Sequence, residues 1–181
     1  MLNIALTVFF AGLVSAAPAK LIFHPTDWPA WRGLHGDGHA KATKGLPLKW
    51  SDSKNVAWKI KLPGRGHSTP TVVGDRIYLA TAEEKMQVQS VLCFEKATGK
   101  LIWQRAIHTG NFVKGGNKNA SHASSSVVCD GTQLYVSFPN DNKIHTTALS
   151  MEGKVLWQTV VSDYVIHQGF GTSPTVYRDV V

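Results

Sequence analysis

The chain is short of cysteine, of acidic residues and of long apolar runs, and each shortage excludes something. Two cysteines in 181 residues, Cys93 and Cys129, cannot build the disulfide framework of a miniprotein; they leave either a single bridge or two buried thiols. Twelve carboxylates face nineteen Lys and Arg, for a formal charge of +7. The excess is concentrated: Lys41, Lys44, Lys49, Lys54, Lys59, Lys61 and Arg65 are opposed in that span only by Asp52. Such a strip reads as a solvated basic face, open to an acidic partner, and in an exported protein it does not point to nucleic acid. The longest apolar run, "MLNIALTVFFAGLVSA" at the N-terminus, stops short of the roughly 20 residues a spanning helix needs. It ends in the small-x-small sequence Val14-Ser15-Ala16, so residues 1–17 are expected to be a secretory signal peptide, although the Lys or Arg usual at its start is missing. The mature chain is then expected to have no membrane span and to lie in the periplasm or outside the cell. Absent too are a Gly-x-Ser-x-Gly elbow, a phosphate loop, His-Glu-x-x-His and Cys-x-x-Cys.

What the chain does contain is strand chemistry. Residues 18–54 form a lead-in rich in Pro, Gly, His and Lys, headed by "DWPAWRGLHGDGH", which is expected to pack Trp28 and Trp31 onto a larger body. From residue 55 onward short β-branched runs alternate with Gly, Asp and Asn: "TPTVV", "DRIYLAT", "VQSVLCFE" and "KLIWQRAI", then "SSSVVC", "TQLYVSF", "KIHTTALS" and "KVLWQTVV". No stretch between them supports an amphipathic helix of ten residues, so the protein is expected to be all-β.

In fours, these runs give two similar units. The first has strands near 70–73, up to 82, 88–95 and 100–107; the second has them near 124–129, 133–138, 144–150 and 154–161. Gly-Lys-x-x-Trp recurs 54 residues later, at Trp103 and Trp157. A third unit opens at Ser173-Pro174-Thr175-Val176, which restates Thr69-Pro70-Thr71-Val72. Four-stranded repeats of this length are the signature of β-propeller blades. Trp58 in "NVAWKIKL" has no preceding strands of its own and reads as the outermost strand of a closing blade completed from the far C-terminus. Two full blades, one donated strand and the start of another do not close a ring, so the sequence is expected to be the N-terminal portion of a longer protein.

The repeated Trp then has a use. Gly99 and Gly153 provide a tight turn with positive φ, and the indole four residues on can lie over the neighbouring blade's turn while its N–H reaches a carbonyl. These residues resemble the pyrroloquinoline quinone (PQQ) type of propeller repeat, whose docking motif reads Ala-x-Asp-x-x-Thr-Gly-Lys-x-x-Trp. Cys93, Glu95, Thr98, Gly99, Lys100 and Trp103 fill it, with Cys for Ala and Glu for Asp. The second copy keeps Ala148, Gly153, Lys154 and Trp157 but is one residue shorter and lacks the Asp and Thr. The lead-in is similar to the opening of secreted bacterial members of this family, which takes in the assembly lipoprotein BamB and the quinoprotein alcohol dehydrogenases. The motif speaks for fold, and Trp58, Trp103 and Trp157 are read as structural.

For a quinoprotein the resemblance implies PQQ and Ca²⁺ in the central channel, with adjacent cysteines and an acidic base. Here Cys93 and Cys129 are far apart in sequence, and the carboxylates sit mostly in turns such as Asp75, Asp130 and Glu152; the visible residues give PQQ no support. Arg65, His67, Asn119, His122 and His167 stand a few residues before inner strands and are expected near one mouth of the channel, where they could meet a metal or an anionic ligand. His35, Asp37 and His39, spaced by two, are a second candidate metal set in a Gly-rich turn. The expectation is a non-catalytic binding or assembly scaffold with a protein or extracellular-polymer partner; the alternative is the N-terminal part of a PQQ-dependent dehydrogenase.

Overall fold

A computed structural model describes residues 22–41, 45–178 and 180–181; the expected signal peptide and Lys44 lie outside the described residues. Two four-stranded antiparallel sheets follow each other in simple meander order. The first comprises β1 (Thr71–Val73), β2 (Arg76–Glu83), β3 (Val88–Glu95) and β4 (Leu101–Thr109). The second comprises β5 (Val128–Cys129), β6 (Gln133–Asn140), β7 (Lys143–Ser150) and β8 (Val155–Asp163). No helix occurs among the described residues. The chain is all-β, and its two sheets are consistent with propeller blades.

Middle strands are covered on both faces and read accordingly as unbroken apolar runs, such as Val91-Leu92-Cys93-Phe94 in β3, all buried. Both outer strand pairs carry two register shifts, at Gln89/Ser90 and Cys93/Phe94 in the first blade and at Ile144/His145 and Ala148/Leu149 in the second. The extra residue at such bulges increases local twist. One core runs through both sheets, from Val73, Tyr78, Val91 and Cys93 to Val127, Leu134, Val136 and Phe138. The blades therefore stack as one body.

Three kinds of contact fasten blade to blade. At the outer edge, the Trp103 indole of β4 lies against Gly153, whose φ is +82°, and its Nε1–H donates to Met151 O at 3.3 Å. Arg105 Nε donates to Gly153 O at 2.7 Å. Trp58 repeats the arrangement on Gly99 (φ +72°), donating to Lys96 O at 2.9 Å. In the first turn the Thr98 hydroxyl donates to Glu95 and accepts from Lys100 N at 3.1 Å. The second turn lacks that Thr, and the Ser150 hydroxyl takes its place, accepting from Glu152 N and from Lys154 N at 3.3 Å. Lys100 and Lys154 are exposed. In the buried middle, the Gln89 and Asn140 amides bond each other across the seam at 3.4 Å. At the inner edge, Thr69 N donates to Ser126 Oγ and Ser126 N to Ser173 Oγ, both at 2.9 Å.

Several local expectations are corrected. The inner strand of the second unit shrinks from 124–129 to Val128–Cys129, because Ser137 N and Thr69 N donate to the Ser125 and Ser126 hydroxyls and Ser126 N donates to Ser173 Oγ instead of continuing the ladder. Residues 173–176, read as the opening of a third unit, form no strand, since no second strand lies beside them; nearby there is only a Tyr177–Val180 bridge. The segment around Trp58 is likewise unpaired. In the lead-in, Trp28 pairs with Val72 through two backbone bonds and Cys129 N donates to Pro29 O, so this segment adds to the inner edges of both blades. Buried Asp27 anchors it by accepting from Gly74 N at 3.0 Å. Trp31 does not pack; it is 57% exposed beneath the Arg32 guanidinium.

Candidate functional site

The chain segments that precede the inner strands meet at one end of the seam. Gly64 and Gly66 let the first of them run directly against β2, where a Cβ on Gly64 would collide with Ala82 O and one on Gly66 would stand 2.7 Å from Ala80 O. Arg65 between them exchanges two backbone bonds with Ala82. Its side chain then reaches across the seam, donating from Nη2 to Asn119 O at 2.6 Å, while Nη1 stands 3.7 Å from Glu84 Oε1. The loop from Gly110 to Val127 supplies the opposite wall. Gly115 and Gly116, at φ +99° and +82°, turn it, and a Cβ on Gly116 would meet Ile166 at 2.7 Å, so the loop is held closely against the following tail.

Between these walls lies a cleft of about 400 Å³. Phe112, Val113, Tyr164 and Phe170 give it an apolar side; Arg65, Lys114 and Lys118 give it charge, with Glu84 as the only carboxylate among the described residues of its lining. The Tyr164 hydroxyl is buried without a hydrogen-bond partner among the described residues. His122 stacks on Phe112 with ring centroids 4.3 Å apart, and burial lowers its pKa against the opposing pull of Glu84.

Of the residues singled out from sequence, Arg65 and His122 line this cleft, and Asn119, itself outside the lining, offers its backbone carbonyl to Arg65. The other two histidines stand apart: His67 is exposed, with its backbone N–H on Ala123 O, and exposed His167 is outside the cleft wall. Counted from the inner-edge hydroxyl bonds, His67 lies two residues before Thr69, His122 four before Ser126 and His167 six before Ser173. They are not equivalent positions in the repeat, so a rotation from blade to blade does not superpose them. Among the described residues no three His, Cys, Asp or Glu side chains lie close enough to hold a metal ion. That includes His35, Asp37 and His39, where the exposed Asp37 carboxylate accepts the His39 backbone N–H at 2.9 Å and has its pKa lowered by that bond. Sequence reading missed Lys114, Lys118 and Tyr164. The Lys-Gly-Gly-Asn-Lys spelling was the available signal for the first two; nothing local marks Tyr164.

The described residues do not fit a calcium–quinone centre. Cys93 and Cys129 are both free and buried on different blades, and burial pushes each thiol up to about 11. Asp130 has its two oxygens taken by Thr132, Gln133 and Tyr135. No helix of the described residues is long and apolar enough to cross a membrane.

Comparison with curated proteins finds no match. Residues 40–180 match the family described as outer membrane protein assembly factor BamB. That span is well over half of the chain and contains both blades and the rim cleft, and the protein therefore belongs to this BamB-like family of PQQ-type repeats.

Proposed function

We propose that this chain is part of an exported, non-catalytic β-propeller scaffold that binds an anionic partner at the rim cleft between its two blades. The observation that carries the reading is the cleft's charge and lining. Lys114 and Lys118 have no carboxylate partner among the described residues, and Arg65 is only loosely paired with Glu84. An apolar wall beside them suits a carboxylate-bearing segment that also carries side chains to bury, from a protein or an extracellular polymer. The groups suited to chemistry elsewhere are already committed: the thiols are buried, Asp130 is saturated, and the indoles fasten blades.

The test is binding of two anionic probes, polyglutamate for an acidic protein segment and polygalacturonate for a polymer, followed by fluorescence anisotropy at two salt concentrations. Binding that weakens with salt and falls about tenfold or more in a Lys114→Glu/Lys118→Glu variant supports the reading, and the preferred probe tells which source of carboxylate fits. Failure of both probes, or binding unchanged in the variant, overturns it. Export is part of the proposal: a native N-terminus near Pro18 supports it, and retention of residues 1–17 in the purified protein counts against it.

A further inference from the structure

The seam holds a second titratable feature beneath the rim. His108, near the end of β4, and His145, in β7, face each other across the blades with ring centroids 4.8 Å apart at 60°. Phe138 of β6 stands edge-on to His108 at 6.2 Å. Both imidazoles are half-buried. His145 Nε2 lies 3.2 Å from the Asn140 carbonyl, so that nitrogen carries the hydrogen and donates. His108 Nε2 lies 3.5 Å from the Gln158 amide nitrogen, which donates also to Thr147 Oγ1 at 2.8 Å; His108 Nε2 is therefore the acceptor.

Among the described residues no carboxylate pairs with either ring. The groups set against His108 are Gln89, its register partner on β3, Phe138 on β6, His145 on β7 and Gln158 on β8. Of the ionisable groups nearby, His145 stands against it, while Arg105 on its own strand, and Lys143 and Asp163 at the ends of β7 and β8, are exposed. A proton on His108 would place a donor against the Gln158 donor in a half-buried seam.

The same polar network continues to the rim. The Asn140 amide donates to Gly110 O at 2.8 Å and to Gln89 Oε1, and Gln89 Nε2 donates to His122 O at 2.8 Å and Pro139 O at 3.0 Å. Gly110 opens the rim loop and His122 lies within it. We propose that His108, packed on His145, is a pH-sensitive latch on the seam, closed at neutral pH, whose protonation loosens loop 110–122 and with it the rim cleft. The physics of the latch stands on the seam alone; only its consequence for binding rests on the function proposed above.

Burial, and secondarily the charge of His145, pushes the His108 pKa down to about 4. A group depressed in the closed state favours closure fully above its ordinary value near 6.5 and loses that preference as pH falls toward 4. At pH 5 the full shift would raise the open fraction about thirtyfold relative to pH 7.5, and solvent screening of a half-exposed ring reduces this to about tenfold.

Hydrogen–deuterium exchange of amides 110–122 in the full-length protein at pH 7.5 and 5.0, corrected for intrinsic rates, reads the latch directly; an NMR titration of the histidine Cε1 protons reads its cause. The expected result is exchange about tenfold faster in acid, a His108 pKa well below 6.5, and loss of the acid effect in His108→Phe, which keeps the edge contact with Phe138 and carries no proton. A His108 that titrates at 6.5 or above, loop exchange independent of pH, or an acid effect kept intact in His108→Phe overturns the proposal. If that variant does not fold, His145→Gln and the wild-type titration decide. A loop that loosens in acid while neither polyglutamate nor polygalacturonate binds would sink the rim function and leave the latch standing.

Discussion

Replacing Gly153 by alanine tests whether the Trp103 contact fastens the blades or merely decorates their outer edge. Two costs are expected. Gly153 has φ +82°, and an L-residue in that left-handed conformation costs about 1–2 kcal/mol. The added Cβ would also stand 2.8 Å from Trp103 Cδ2 and 2.9 Å from Cε3, which forces the indole off its seat at an overpacking cost of about 1–3 kcal/mol. Gly74 separates the two: its φ is +56° and a Cβ there meets nothing within 4 Å, so Gly74→Ala carries strain alone. Urea unfolding followed by tryptophan fluorescence should give a loss of roughly 2–5 kcal/mol for Gly153→Ala and about 1–2 for Gly74→Ala. In a Trp103→Leu background the indole is gone, and the Gly153→Ala cost should shrink to that of Gly74→Ala. Equal costs for the two glycines in the wild-type background, or a Gly153→Ala cost unaffected by removing the indole, would refute the docking argument.

The two thiols, buried and pushed up to about 11, should react with a thiol reagent at pH 8 far more slowly in the native protein than in urea, where both should label; prompt native labelling of either would contradict its placement. Burial raises the Asp130 pKa, but hydrogen bonds from Gln133, Thr132 and Tyr135 outweigh it and hold the carboxyl below its ordinary 3.8. Its stabilisation is thus present above about pH 4 and lost as pH falls through the lowered value. Asp130→Asn should cost about 1–2 kcal/mol at pH 7 and much less at pH 2.5, a difference that a pair of urea titrations would detect. Arg105→Ala removes the donor to Gly153 O and should lower stability by about 1 kcal/mol, with Arg105→Lys recovering only part; full stability in the alanine variant would mean the bond contributes nothing.

How much of this was legible depends on whether an element's identity lies in its own residues. The four-strand repeat was readable because β-branched runs and Gly punctuation are local, and β3, written as "VQSVLCFE", stands at the expected 88–95. Strands whose existence depends on a neighbour were not. Residues 173–176 repeat Thr69-Pro70-Thr71-Val72 almost letter for letter yet pair with nothing beside them. Trp31 looks like Trp28 in sequence and lacks its backbone bonds to Val72. The rim was half readable: Arg65, Asn119 and His122 precede inner strands, but His67 and His167 do so at offsets that point elsewhere, and composition gives no sign that Tyr164 returns to the same cleft.

The seam uses a different chemistry at each radius, and this ties the candidate site to the fold. At the outer edge an indole on a glycine turn tolerates water, because a large apolar area and one N–H are enough. At the inner edge, small hydroxyls accept neighbouring amides where three chain segments crowd together and larger groups would not fit. Between them lie polar groups whose bonds have no aqueous substitute: Gln89 at 0% exposure and Asn140 at 5%. Buried networks of this kind are costly when only partly satisfied. Any shift between blades that strains the Gln89–Asn140 bond therefore acts on Gly110 O and His122 O, two of the points that hold the rim loop. The cleft's shape follows from blade stacking, and substitutions at Trp103 or Gly153, remote from the cleft wall, should weaken rim binding in proportion to their effect on the seam.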